Sequence, residues 1–78
     1  MDPEKVKALL VLGLGDCEVH VDGQGNHYDI VVISDIFAGQ RAVQRQQRVY
    51  AILKEHIASG TMHAVNMKLY TVDEARTR

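Results

Sequence analysis

The sequence has one cysteine, one proline, one phenylalanine and no tryptophan in 78 residues. Each scarcity closes a route. A single Cys17 excludes an internal disulfide framework and any Cys-x-x-Cys zinc or redox motif, so the fold must stand on its packed core. Few aromatic side chains leave little on which nucleobases stack, which weighs against single-strand binding. No charge of one sign dominates: nine Lys+Arg against ten Asp+Glu give a formal net charge of −1 and a pI near 6.4. Nothing therefore draws the whole surface to a phosphate backbone or an anionic membrane. Long apolar runs are missing too. The longest, residues 8–12 and 30–33, fall far below the ~20 residues that cross a bilayer. The acidic start Met1-Asp2-Pro3-Glu4 lacks the positive charge of a secretory leader. The expectation is a soluble, cytoplasmic chain folded as one domain over residues 1–78, with about 60–65% of the unfolded chain's surface available for burial.

The apolar residues that are present are patterned. Asp2-Pro3 pairs an N-cap side chain with the residue best tolerated at the first helical position, and Val6, Leu9 and Leu10 follow at helical spacing. This predicts a short helix from residue 3 to about residue 12, ended by Gly13 and Gly15. Residues 17–22 alternate like a half-buried strand, with Cys17, Val19 and Val21 inward and Glu18, His20 and Asp22 outward. Residues 22–26 tolerate positive φ and mark a hairpin loop, with His27 at its far lip. The run over 28–33 becomes β-branched on both faces and reads as the central strand. Ser34 or Asp35 can cap a turn of helix over 36–39. From 42 to 57 the spacing is helical, with Ala42, Val43, Gln46, Val49, Tyr50, Leu53 and Ile57 in one arc and Arg41, Arg45 and Arg48 on the opposite face. Ser59-Gly60 ends that helix, residues 63–70 alternate as a third strand, and Thr71-Val72-Asp73-Glu74 has the form of a capping box opening a last short helix. The order αββααβα describes an α+β domain with a three-stranded mixed sheet. Its first two strands form an antiparallel hairpin, and a right-handed helical crossover makes the last two parallel.

These elements carry a resemblance. The hairpin end Gly25-Asn26-His27-Tyr28, the run Val31-Val32-Ile33-Ser34-Asp35-Ile36-Phe37-Ala38-Gly39, the helix Val43-Gln44-Arg45-Gln46-Gln47-Arg48-Val49-Tyr50 and the strand start His63-Ala64-Val65-Asn66-Met67-Lys68 together resemble the BolA family. The likeness spans nearly the whole chain, and Gln46-Gln47, where many members carry His-Arg, is most similar to the IbaG branch. The sequence departs from the family's frequent Thr-Pro-x-x-Trp at the last helix, reading Thr71-Val72-Asp73-Glu74-Ala75. The resemblance implies a KH-like fold of the second type. It also implies a small adaptor that pairs with a monothiol glutaredoxin and shares a [2Fe–2S] cluster with it and its bound glutathione. The matching ligand positions are His63, before the third strand, and His27, at the hairpin. Parallel pairing of the last two strands puts both strand starts at one edge, so the two histidines should be near neighbours. Imidazole in place of thiolate on one iron is an established variation that raises the cluster potential, and two ligands from one chain leave the remainder to a partner.

Each residue has a plainer reading. A histidine at a strand start can simply satisfy a carbonyl, and a loop histidine can simply be solvated. His20 and His56 read as surface residues. Cys17, on the inward face, reads as a small core hydrophobe rather than a ligand. The Arg41, Arg45, Arg48 stripe fits a solvated helix face better than a nucleic-acid footprint, and the turn Gly39-Gln40-Arg41-Ala42 lacks the second glycine of the Gly-x-x-Gly loop with which KH domains clamp nucleotides. No phosphate-binding, nucleophile-elbow or His-Glu-x-x-His motif is present. The sequence thus points to a non-catalytic iron–sulfur adaptor, monomeric or weakly dimeric when alone, with a KH-like nucleic-acid-binding regulator as the alternative.

Overall fold

In the computed structural model, which describes residues 2–60 and 62–77, the Asp2 carboxylate accepts the Lys5 backbone N–H at 2.9 Å and opens α1 (Pro3–Leu14). An antiparallel hairpin follows, β1 (Glu18–Gln24) and β2 (His27–Ile33), then a 3-10 turn (Asp35–Phe37), α2 (Ala42–Ala58), β3 (Ala64–Tyr70) and α3 (Val72–Arg76). The strand order is β1-β2-β3, with β2 central and β2–β3 parallel. The expected α+β order and mixed sheet are those observed. Among the described residues, no helix is long and apolar enough to cross a membrane.

One face of the sheet is covered. Val19 of β1, Tyr28, Ile30 and Val32 of β2 and Leu69 of β3 share that face and pack against Val6, Leu10 and Leu14 of α1 and Val49 and Leu53 of α2, with Phe37 and Met62 closing the core. Of the expected inward residues of β1, Val19 is buried, while Cys17 and Val21 are half-buried. Ser34 is the buried polar residue among those described. Its hydroxyl donates to Asp16 O (2.9 Å) and accepts from Ile36 N–H (3.3 Å), while its own N–H reaches Tyr70 O (2.9 Å), so the ends of all three strands are tied.

Two expectations are corrected. Gly13 does not end α1; the helix continues to Leu14 and closes only at Gly15, whose φ is 82°. A Cβ on Gly13 would lie 2.7 Å from Ile52 Cδ1 and 2.9 Å from Cγ1, so glycine is there for the close crossing of α1 over α2. The second correction concerns α2, which is turned by roughly 60° from the expected arc. Ile52, facing Gly13, is half-buried, while Val43 and Tyr50 remain 63% and 47% exposed. Packing on α1 as well as on the sheet forces that rotation.

Alanine is about 1 kcal/mol better than glycine in a helix interior, yet Gly13→Ala should lower unfolding stability by about 1–2 kcal/mol through overpacking. Urea denaturation measures it. Adding Ile52→Ala should make the double variant lose less than the sum of the single losses, whereas a more stable Gly13→Ala shows that the crossing is not tight.

Candidate functional site

The hairpin turns on two residues, Gly25-Asn26. Gly25 has φ 63° and Asn26 is not in the left-handed region, the pattern of a turn with glycine at its first central position. The strands therefore reach further toward the tip than expected, to Gln24 and from His27. The Asn26 carbonyl then accepts two N–H groups from the approach to β3, His63 at 2.8 Å and Ala64 at 3.1 Å. His27 is thereby registered opposite Ala64, next to His63. The two imidazole rings lie with centroids 6.4 Å apart at 69°. Both residues are exposed, and neither ring has a side-chain hydrogen-bond partner among the described residues. The expected neighbours are neighbours.

No third donor joins them from this chain: among the described residues, no group of three His, Cys, Asp or Glu could hold a metal. His20 is exposed on β1 with its Nε2 2.8 Å from Glu18 Oε2. His56 is half-buried beside Lys5, Ala8, Leu9 and Leu12 at the α1–α2 contact. Cys17 precedes the Glu18–Ile33 pair, at the end of the hairpin away from the Gln24–His27 pair, a strand length of roughly 20 Å from the histidines. Burial and, secondarily, the Asp16 charge push its thiol pKa up, which favours the neutral form over the thiolate that binds iron.

The arginine stripe is split by the rotation of α2. Arg41 and Arg48 are exposed, but Arg45, with Val49 and Leu53 four and eight residues on, lies on the inward arc. Its side chain is only 12% exposed. Nε donates to Gln40 O at 3.0 Å, Nη1 to Leu69 O at 3.0 Å and to Glu74 Oε1 at 2.6 Å, and Nη2 to Glu74 Oε2 at 3.1 Å. The guanidinium also lies 5.8 Å from the Phe37 ring centroid, in range of a cation–π contact. The expectation that Arg45 lies with Arg41 and Arg48 on a solvated face, open to phosphate contact only in the alternative reading, is corrected: it ties α2 to β3 and α3. The i, i+4, i+8 count that places it with Val49 and Leu53 was available in the sequence, as was the Thr-x-x-Glu signature of its partner. That capping box forms as expected, with Thr71 Oγ1 accepting Glu74 N–H at 3.2 Å and Glu74 Oε1 accepting Thr71 N–H at 2.8 Å.

Residues 15–74 match the family model described as BolA-like protein. The chain is 39% identical to the acid stress protein IbaG of Escherichia coli K12 over 79 aligned residues, covering all of this chain and 94% of that protein. It is 35% identical over 52 residues to the DNA-binding transcriptional regulator BolA of the same organism, covering 67% of this chain and 49% of that protein. The solved structure of a bolA protein homologue from Coxiella burnetii superposes with a TM-score of 0.85 at 34% identity, covering 97% of each chain.

The Arg45 guanidinium, and next the Thr71 N–H, hold the Glu74 carboxyl down from 4.5 to about 2. A carboxyl lowered in the folded state stabilises it fully above the unfolded value and loses that contribution as pH falls through the folded one. Stability should therefore decline from about pH 5 toward pH 2, and Glu74→Gln should flatten part of that slope in chemical denaturation at stepped pH. An unchanged slope in the variant means that the ion pair carries no linkage.

Proposed function

The chain belongs to the BolA-like protein family, and from that premise we propose that it is a non-catalytic iron–sulfur adaptor that pairs with a monothiol glutaredoxin in the cytoplasm and lends His27 and His63 to a shared [2Fe–2S] cluster. The observation that carries this reading is the pair of exposed imidazoles 6.4 Å apart, without side-chain hydrogen-bond partners among the described residues and set side by side by the Asn26 carbonyl. The donor set fits the group. A bound [2Fe–2S] cluster supplies one-electron chemistry at a potential set by its ligands, and two imidazoles on one iron raise that potential.

This chain's own part is to bind and orient. The β2–β3 ladder fixes the two backbones, and exposure lets a second protein approach both rings. An imidazole holds metal only in its neutral form, so acid opposes ligation. Two nitrogen donors would leave the cluster's remaining positions to the glutaredoxin thiolate and its glutathione. The adaptor then serves iron–sulfur trafficking or iron sensing.

The second reading is a KH-like nucleic-acid-binding regulator, favoured by the DNA-binding name that one relative carries. Against it, Arg45 is committed to Glu74, which leaves Arg41 and Arg48 exposed on that face. The Gly39-Gln40-Arg41-Ala42 turn offers no Gly-x-x-Gly clamp.

His63→Ala should abolish the cluster in the reconstituted pair while leaving far-UV circular dichroism unchanged, because the structural bond there is made by the backbone N–H. His27→Cys should retain a cluster with its visible spectrum shifted toward thiolate ligation. A wild-type holo spectrum in His63→Ala sinks the assignment. For nucleic acid, duplex binding should be weak, with log K against log salt sloping by about −2, two phosphate contacts' worth. Sequence-selective, sub-micromolar binding at ~150 mM salt would reverse the ranking of the two readings.

A further inference from the structure

Helical spacing along α2 asks for more burial than the domain supplies. Val43 and Tyr50 stay exposed, and beside Tyr50 a groove runs between α2 and β3. Toward α3 it is lined by Ala42, Gln46, Met67 and Leu69, and toward the hairpin by Gln46, Tyr50, Val65, Met67 and His63. Gln46 and Met67 line both stretches, so the groove is continuous and reaches the proposed ligand His63.

The outer edge of β3 borders this groove. β3 is the last strand of the sheet, and in a parallel ladder alternate residues turn both backbone groups toward the neighbour. Ala64 N–H bonds Asn26 O and Tyr70 O accepts Ser34 N–H, so residues 64, 66, 68 and 70 face β2. Val65, Met67 and Leu69 therefore turn N–H and C=O outward. Arg45 takes Leu69 O and closes that end. The outward groups of Val65 and Met67 meet no strand, which is the template for strand addition.

We propose that an extended segment of the iron–sulfur partner protein docks in this groove as a fourth strand, pairs with β3 at Val65 and Met67, and runs alongside His63. The inference rests on the adaptor reading and specifies how its partner is held. A peptide backbone matches the alternating donors and acceptors of the edge, and Tyr50, Val65 and Met67 offer apolar walls to its side chains. A phosphate backbone finds little there: of the two cations that line the groove, the Arg45 guanidinium is already paired with Glu74, which leaves Lys68 alone. A second copy would have to bring its own sheet and α2 past this α2, whereas one strand needs only the groove. Continuity with His63 puts such a strand beside that imidazole, whose ring centroid lies 6.4 Å from that of His27.

The test uses a cluster-free monothiol glutaredoxin, so that docking is read apart from ligation. Gln46→Trp fills the groove from an exposed position and replaces neither a core residue nor a histidine, and Met67→Pro removes an outward N–H while sparing the β2 ladder. Calorimetry should show Gln46→Trp weakening association by about tenfold or more, and amide exchange at Val65 and Met67 should slow when the partner binds. Lys54→Trp, at an exposed position of α2 that lines neither stretch of the groove, should bind the cluster-free partner like the unaltered chain. If Met67→Pro does not fold, Gln46→Trp and the exchange rates decide. Unchanged affinity in Gln46→Trp, no slowing at Val65 and Met67, or no association at all overturns the docking mode. So does slowing of those amides by an oligonucleotide instead, or a dimer of the free chain that Gln46→Trp abolishes. A normal shared cluster with unaltered Gln46→Trp affinity leaves the adaptor reading standing without this groove. Protected amides with no effect of His63→Ala on the cluster leave the groove standing without that ligand.

Discussion

One carbonyl oxygen holds the site together. Asn26 O accepts both His63 N–H and Ala64 N–H, at 2.8 and 3.1 Å, and so locks the hairpin tip to the first residues of β3. The parallel register then follows pair by pair from His27–Ala64 to Ile33–Tyr70, and Ser34 N–H to Tyr70 O finishes it at the far end. A parallel pair needs a crossover, and α2 supplies it. The domain's topology and the placement of its two exposed imidazoles are thus one constraint seen at two scales.

Much of this was legible in the sequence, because the signals were strong and local. Asp2-Pro3 opens α1, Thr71-x-x-Glu74 opens α3, and the β-branched run over 28–33 is the central strand, each for the reason its residues state. The histidine pair was legible at second hand: parallel pairing put both strand starts at one edge, and the family resemblance said which residues to look for there. What misled was anything that depends on a neighbour absent from the local pattern. Gly13 looks like a helix end unless Ile52 is known to face it. The turn looks like a five-residue loop unless β3 is there to extend β2 to His27.

Arg45 shows the same limit more sharply. A wheel centred on the apolar residues alone puts it opposite the core, because Val43 and Tyr50 pull the centre toward a side the domain never covers. Once α1 claims the Ile52 side, the helix turns and Arg45 comes in, where the Glu74 carboxylate and two carbonyls satisfy its donors. A mostly buried guanidinium is tolerable only with such a set of acceptors. The arginine thereby leaves the list of phosphate contacts and becomes a strut, and the apolar residues that biased the wheel become surface.

Core and site are separable for a physical reason. The core side chains lie on the covered face of the sheet, between it and α1 and α2, while His27 and His63 are exposed at its edge and contribute backbone rather than side chain to the ladder. Their imidazoles are positioned by bonds in which they take no part. A change of side chain at either position therefore alters what the residue presents without altering where its backbone sits, since the Asn26 carbonyl reads only amide hydrogens. Glycine at the turn, where φ is 63°, is what the geometry requires; histidine is what the proposed chemistry requires.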